Sequence, residues 1–214
     1  MTPIARRGAL GRLALVALLA PTGCMAGVPA GPVPAAATDA DGPIPSGYGT
    51  LRQDDITIEI VDGPVRVRIT PLESSLIRLT APDTEQRLRA LRERAAPDGA
   101  VWFLVSVQTE APGGADFDPM AVEAASVGIP QRPAEIRGLT PQWGSGRLEQ
   151  RVPQQALYRF PGDIDPWRSL EVRVGEMRSR SWTDRLPQLD AERARVRARA
   201  GGGYWSSPNF LILR

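Results

Sequence analysis

Residues 55–70 read DITIEIVDGPVRVRIT, and their alternation sets the fold class. Ile56, Ile58 and Ile60 fall on one face of an extended chain, Thr57 and Glu59 on the other. After a break at Asp62-Gly63, Val65, Val67 and Ile69 oppose Arg66, Arg68 and Thr70. A period of two belongs to a strand with one buried face. Asp-Gly between two such runs suits the positive-φ positions of a tight turn, so the stretch predicts a β-hairpin whose arginines form the solvated face.

Working outward, residues 101–109 (VWFLVSVQT) are apolar on both faces, through Val101, Phe103, Val105 and Val107 on one side and Trp102 and Leu104 on the other. That pattern predicts a central strand covered on both sides. Further strands are expected at 76–80, 121–127, 135–139, 156–160 and 169–174. Two helices are expected. One spans 83–96, with Asp83 and Gln86 as a capping box, Glu85 placed to pair with Arg89, and Leu88, Leu91 and Ala95 on one face. The other spans 182–200, where Trp182, Leu186, Leu189, Arg193, Val196 and Ala200 recur at helical spacing, with a bend expected at Pro187. Arginine inside that stripe is costly unless paired, so Arg193 is expected to have a carboxylate or carbonyl partner. Short strands punctuated by Pro and Gly, without a strand-helix-strand rhythm, predict a mainly β fold, an antiparallel β-sandwich of immunoglobulin-like architecture with these two helices added.

The N-terminus has the layout of an export signal. Arg6, Arg7 and Arg12 form a basic start, residues 13–20 are an unbroken apolar run too short to span a bilayer, and the small residues Thr22 and Gly23 lead into Cys24, the one cysteine of the chain. The sequence Pro21-Thr22-Gly23-Cys24 resembles the lipobox of bacterial lipoproteins, although Pro21 stands where Leu or Val is usual. The resemblance implies cleavage after Gly23, diacylation of the Cys24 thiol, and a membrane-anchored chain on the extracytoplasmic side. Residues 24–47 are rich in Ala, Gly and Pro and read as a tether, reaching at most ~70 Å at ~3.1 Å per residue. The chain thus divides into a signal (1–23), a lipid-anchored tether (24–47) and a single domain (48–214), a size that suits one core rather than two.

Charge and composition exclude several classes of function. Of the 26 basic residues three lie in the signal, leaving 23 against 24 acidic residues from Cys24 onward, a balance of −1 that recommends no nucleic-acid partner. Every basic residue is arginine; lysine and histidine are absent. Without histidine there is no Ser-His-Asp or Cys-His machinery and no His-bearing zinc site. Without lysine there is no Walker lysine and no Schiff-base nucleophile. One cysteine makes no internal disulfide, and no cofactor or metal is implied.

The chain echoes itself once, in Asp116-Phe117-Asp118-Pro119 and Asp163-Ile164-Asp165-Pro166. Such carboxylate pairs could line a calcium or ligand loop, or act as acid and nucleophile on a glycoside. Asp before Pro also makes an Asx turn, and that reading is preferred because neither copy supplies six oxygen ligands. Trp143 and Trp167 fall near expected loops, where indoles stack on sugars or cap the end of a sandwich; the cap is preferred. The expectation for function is a non-enzymatic cell-envelope lipoprotein whose head binds an envelope protein or surface polymer. The alternative is a carboxylate-based hydrolase acting on sugars.

Overall fold

The computed structural model describes residues 43–95, 100–161 and 164–202. Cys24, the signal and most of the tether lie outside them, as do Asp163, residues 96–99 and residues 203–214.

The hairpin forms from β1 (Ile58–Asp62) and β2 (Val65–Pro71), paired antiparallel from Ile58↔Ile69 to Asp62↔Val65. The turn sits one residue later than Asp62-Gly63: Gly63, at φ +56°, and Pro64 are its two residues. A side chain at Gly63 would meet the αL penalty that glycine avoids. β3 (Phe103–Thr109) lies at the centre of a five-stranded antiparallel sheet, as its two apolar faces predict, with order β1-β2-β3-β8-β6; β6 is Glu135–Gly138 and β8 Gln154–Arg159. Its core face carries Ile58, Ile60, Val67, Ile69, Val105, Val107, Ala156 and Tyr158 in register, all buried. The opposite face carries Glu59, Arg66 and Arg68, with Glu59 bridging Arg66 at 3.7 Å and Arg68 paired with Asp54, which is the solvated face expected for these arginines.

A three-stranded antiparallel sheet of order β10-β9-β5 is formed by β5 (Val122–Ala125), β9 (Glu171–Val174) and β10 (Met177–Ser179), and a two-residue pair joins β4 (Ala115–Asp116) to β7 (Arg147–Leu148). The fold is therefore mainly β with antiparallel sheets. Val122, Ala124, Val172 and Val174 of the smaller sheet and Phe103, Val105 and Tyr158 of the larger belong to one contiguous cluster of buried residues. Burial of this kind contributes roughly 25 cal/mol per Å² of apolar surface.

The helices number three rather than two among the described residues. Residues 76–80 are not a strand: α1 (Ser74–Ile77) is a single helical turn, because the Glu73 carboxylate accepts the backbone N–H groups of Ser75 and Leu76 at 2.8 and 2.9 Å and caps it. α2 (Pro82–Ala95) starts one residue before the expected capping box, with Pro82 at the first helical position and Asp83 inside the first turn. Leu88 and Ala95 are buried on its inner face, and Glu85 pairs with Arg89 as the spacing required. α3 (Ser181–Gly202) buries Trp182, Leu189 and Val196 completely, and it continues as one helix through Pro187. Pro187 removes one hydrogen bond, that to the Thr183 carbonyl, and Thr183 is exposed where water can take its place.

Ile44, inside the stretch read as tether, is 1% exposed, so packing begins there. The chain then runs as a strap against the first turn of α2 and the second half of α3. Arg78 donates to the Ile44 carbonyl at 2.8 Å, Gly47 N–H and the Ser46 hydroxyl donate to Glu85, and Thr50 donates through N–H (3.1 Å) and Oγ1 (2.8 Å) to Glu192. Leu51 bridges Thr80 in parallel, and at Gly49 a Cβ would collide with the Leu79 carbonyl, so only glycine permits this approach. Glu85 and Glu192, 2% and 1% exposed, are the two buried acids that staple the strap.

Candidate functional site

Pairing of β5 with β9 sets Ala125 opposite Glu171, and just beyond that pair the chain opens into a cleft of about 450 Å³. Its walls are residues 125–128 and 169–171, with Arg180 and Thr183 at the head of α3. Hydroxyls fix the walls to one another. Ser126 Oγ donates to the Asp165 carbonyl at 3.1 Å and accepts the Asp165 N–H at 2.9 Å, while Ser169 Oγ donates to the Ser126 carbonyl at 2.6 Å. Glu171 is flanked by Arg178 Nε at 2.9 Å and Arg180 Nε at 2.7 Å, so the Arg180 guanidinium is held at the cleft edge by its Nε. The cleft thus offers hydroxyls, backbone groups, an aliphatic wall from Val127 and Leu170, and an oriented cation.

The carboxylates of the repeated motif do not gather here or elsewhere among the described residues. Asp116 pairs with Arg147 at 3.1 Å across β4 and β7. Asp118 accepts the Met120 N–H at 2.8 Å and so caps a 3-10 turn ahead of β5. Asp165 accepts the Trp167 N–H at 2.9 Å, the Asx geometry preferred from the sequence, and meets Arg168 at 3.4 Å. Asp118 precedes β5 and Asp165 is bonded to Ser126 just past its end; the strand alone covers about 13 Å at ~3.3 Å per residue, more than the about 5–9.5 Å that separates glycosidase carboxyls. Asp163 lies outside the described residues. Among the described residues no group of three or more His, Cys, Asp or Glu is placed to hold a metal ion, and no helix is long and apolar enough to cross a membrane.

Both tryptophans are half-buried against the core. Trp143 is half-buried edge-on between Phe117 (centroids 6.1 Å) and Tyr158 (5.9 Å). Burial, with the Asp118 charge adding, pushes the Tyr158 phenol up from its usual range, and its hydroxyl donates to the Pro119 carbonyl at 2.8 Å. Trp167 donates Nε1 to Ser75 Oγ at 2.6 Å, and its ring lies under the Arg193 guanidinium at 4.8 Å. Arg193 therefore covers an indole face from within the α3 stripe, and burial first, then Arg197, lower its pKa.

The sequence reading missed Glu85 and Glu192 as buried staples and Ser126, Ser169 and Arg180 as cleft residues. Glu192 did carry a signal: it lies three residues after Leu189 and four before Val196, within the apolar stripe. Burial pushes its carboxyl up, but the contacts from Arg199, Thr50 and Arg195 together outweigh burial and hold it below the usual carboxylate range. The cleft serines carried no signal, since their partners are 39 and 43 residues away.

Compared with known protein families, curated proteins and solved structures, the chain matches none.

Proposed function

We propose that this chain is an exported lipoprotein, acylated at Cys24 after loss of residues 1–23, whose tether ends where packing begins at Ile44 and whose head is a non-catalytic binding module for an envelope protein or surface polymer. The observation that carries the reading is the commitment of the charged groups around the cleft. Glu171 is spent on Arg178 and Arg180, and Asp165 on Trp167 N–H and Arg168, which leaves hydroxyls, backbone groups and a held guanidinium to meet a ligand. Recognition needs such fixed donors and acceptors, whereas acid-base chemistry needs a titrating group free to exchange a proton. The sharing of one core by the two larger antiparallel sheets supports reading them as layers of a sandwich of immunoglobulin-like architecture.

Mass spectrometry of the mature N-terminus should find diacylated Cys24; an unmodified N-terminus after Ala37 overturns the anchor. Affinity capture from envelope extracts with the mature chain should recover a partner, and Thr183→Trp, which fills the cleft, should abolish its retention. Turnover of glycoside or ester substrates that Asp165→Asn abolishes with the fold intact would replace this reading with the hydrolase.

A further inference from the structure

Past β5 the chain turns through residues 126–130 and returns at Gln131, which exchanges both backbone hydrogen bonds with Ala124 at 3.0 Å. The Ser126 contacts with Asp165 and Ser169 pin the same loop to the body. At its tip Val127 and Ile129 are 80% and 79% exposed, on either side of Gly128 at φ +88°. A loop fixed at its root and holding two aliphatic side chains in water keeps available the free energy of burying them elsewhere.

The charges beside the tip are layered. Arg132 and Arg173 share Glu123, Arg178 and Arg180 share Glu171, and Arg168 takes Asp165, so five guanidinium groups face three carboxylates. The carboxylates sit inward at 17–26% exposure, while Arg132, Arg168 and Arg180 reach outward at 65–69%. The layer next to the apolar tip is therefore cationic.

We propose that this tip is a membrane contact. Val127 and Ile129 enter the boundary between headgroups and acyl chains of an anionic phospholipid bilayer, and the three outward arginines meet the phosphates. The area decides for a bilayer over a protein: two aliphatic side chains fall far short of the ~800 Å² per partner that a stable protein interface buries. A weak bilayer contact is sufficient when the chain is already tethered, because it becomes intramolecular. That last step rests on the anchored reading above, and the contact itself does not.

The test uses the chain from residue 24 with Cys24→Ser, which carries no acyl group and keeps every described residue, sedimented with vesicles of phosphatidylglycerol and phosphatidylcholine or of phosphatidylcholine alone. Binding to the anionic vesicles should be roughly tenfold the stronger, fall roughly tenfold in Val127→Ser/Ile129→Ser, and weaken in about 0.5 M salt. Absence of binding, or equal binding by the double variant, overturns the proposal. Cys24→Ser/Ile129→Cys has a single thiol; a solvatochromic dye there should shift to the blue on vesicles, and an unshifted spectrum overturns the proposal even if the double variant misfolds. Self-association without vesicles that the double variant abolishes would assign the tip to a second copy instead. Ile129→Ser alone, outside the cleft lining, should weaken vesicle binding and leave capture of the envelope partner unchanged, so failure of the cleft reading and failure of this one are distinguishable.

Discussion

Replacing Glu192 by alanine tests whether a buried acid holds the head closed. Its carboxylate, 1% exposed, accepts from Thr50 N–H at 3.1 Å, Thr50 Oγ1 at 2.8 Å and Arg199 Nη1 at 2.8 Å. The arginines lose little, because at 38% and 63% exposure Arg199 and Arg195 turn to water, and such pairs are worth ~0–1 kcal/mol. What remains is the two Thr50 bonds; Thr50 is exposed as well and its donors can turn to water, so each is worth about 1–1.5 kcal/mol net and Glu192→Ala should cost about 2–3 kcal/mol. At roughly 2–4 °C per kcal/mol for a chain of this size, the melting temperature by circular dichroism should fall by roughly 4–12 °C. Glu192→Gln retains an acceptor and should lose about half as much. Thr50→Val removes one of the bonds, and the double-mutant cycle with Glu192→Ala should show a coupling of ~1 kcal/mol or more. A melting temperature within ~2 °C of wild type, or additivity within ~0.3 kcal/mol, would refute the staple.

The lowered pKa of Glu192 fixes a sign: its contribution is present above the unfolded carboxyl range near ~4.3 and is lost as pH falls through the lower folded value, so the melting difference between wild type and Glu192→Gln should shrink as acid is added below about pH 4. Gly49→Ala should destabilise by about 1–3 kcal/mol in urea titrations, because its Cβ meets the Leu79 carbonyl, whereas Gly201→Ala, facing open space, should be neutral or slightly stabilising; equal effects would remove the close approach from the account. Arg193→Ala uncovers the Trp167 ring and should lower the melting temperature by the few degrees that correspond to ~1–2 kcal/mol; an unchanged melt would mean that the stacking carries no stability.

Periodicity is a local property, and wherever it alone decides, the sequence determined the outcome. The alternation in residues 55–70 gave the hairpin, the double-faced run at 101–109 gave the centre of the sheet, and the spacing of Trp182, Leu189 and Val196 gave the buried stripe of α3. A turn signal is local as well, and it placed the hairpin turn to within one residue. Tertiary structure decided what depended on polar groups finding distant partners. Residues 76–80 read as a strand, yet the backbone just before them follows the Glu73 cap into α1. Ile44 reads as tether, yet Glu85 and Glu192 hold the strap beside it, the latter from 142 residues away. The cleft exists because Ser126 meets Asp165 and Ser169 across 39 and 43 residues, and no spacing within either segment encodes that meeting. Apolar burial is non-directional and leaves a repeating trace along the chain, while a hydrogen bond joins two particular atoms and leaves none until the chain has folded.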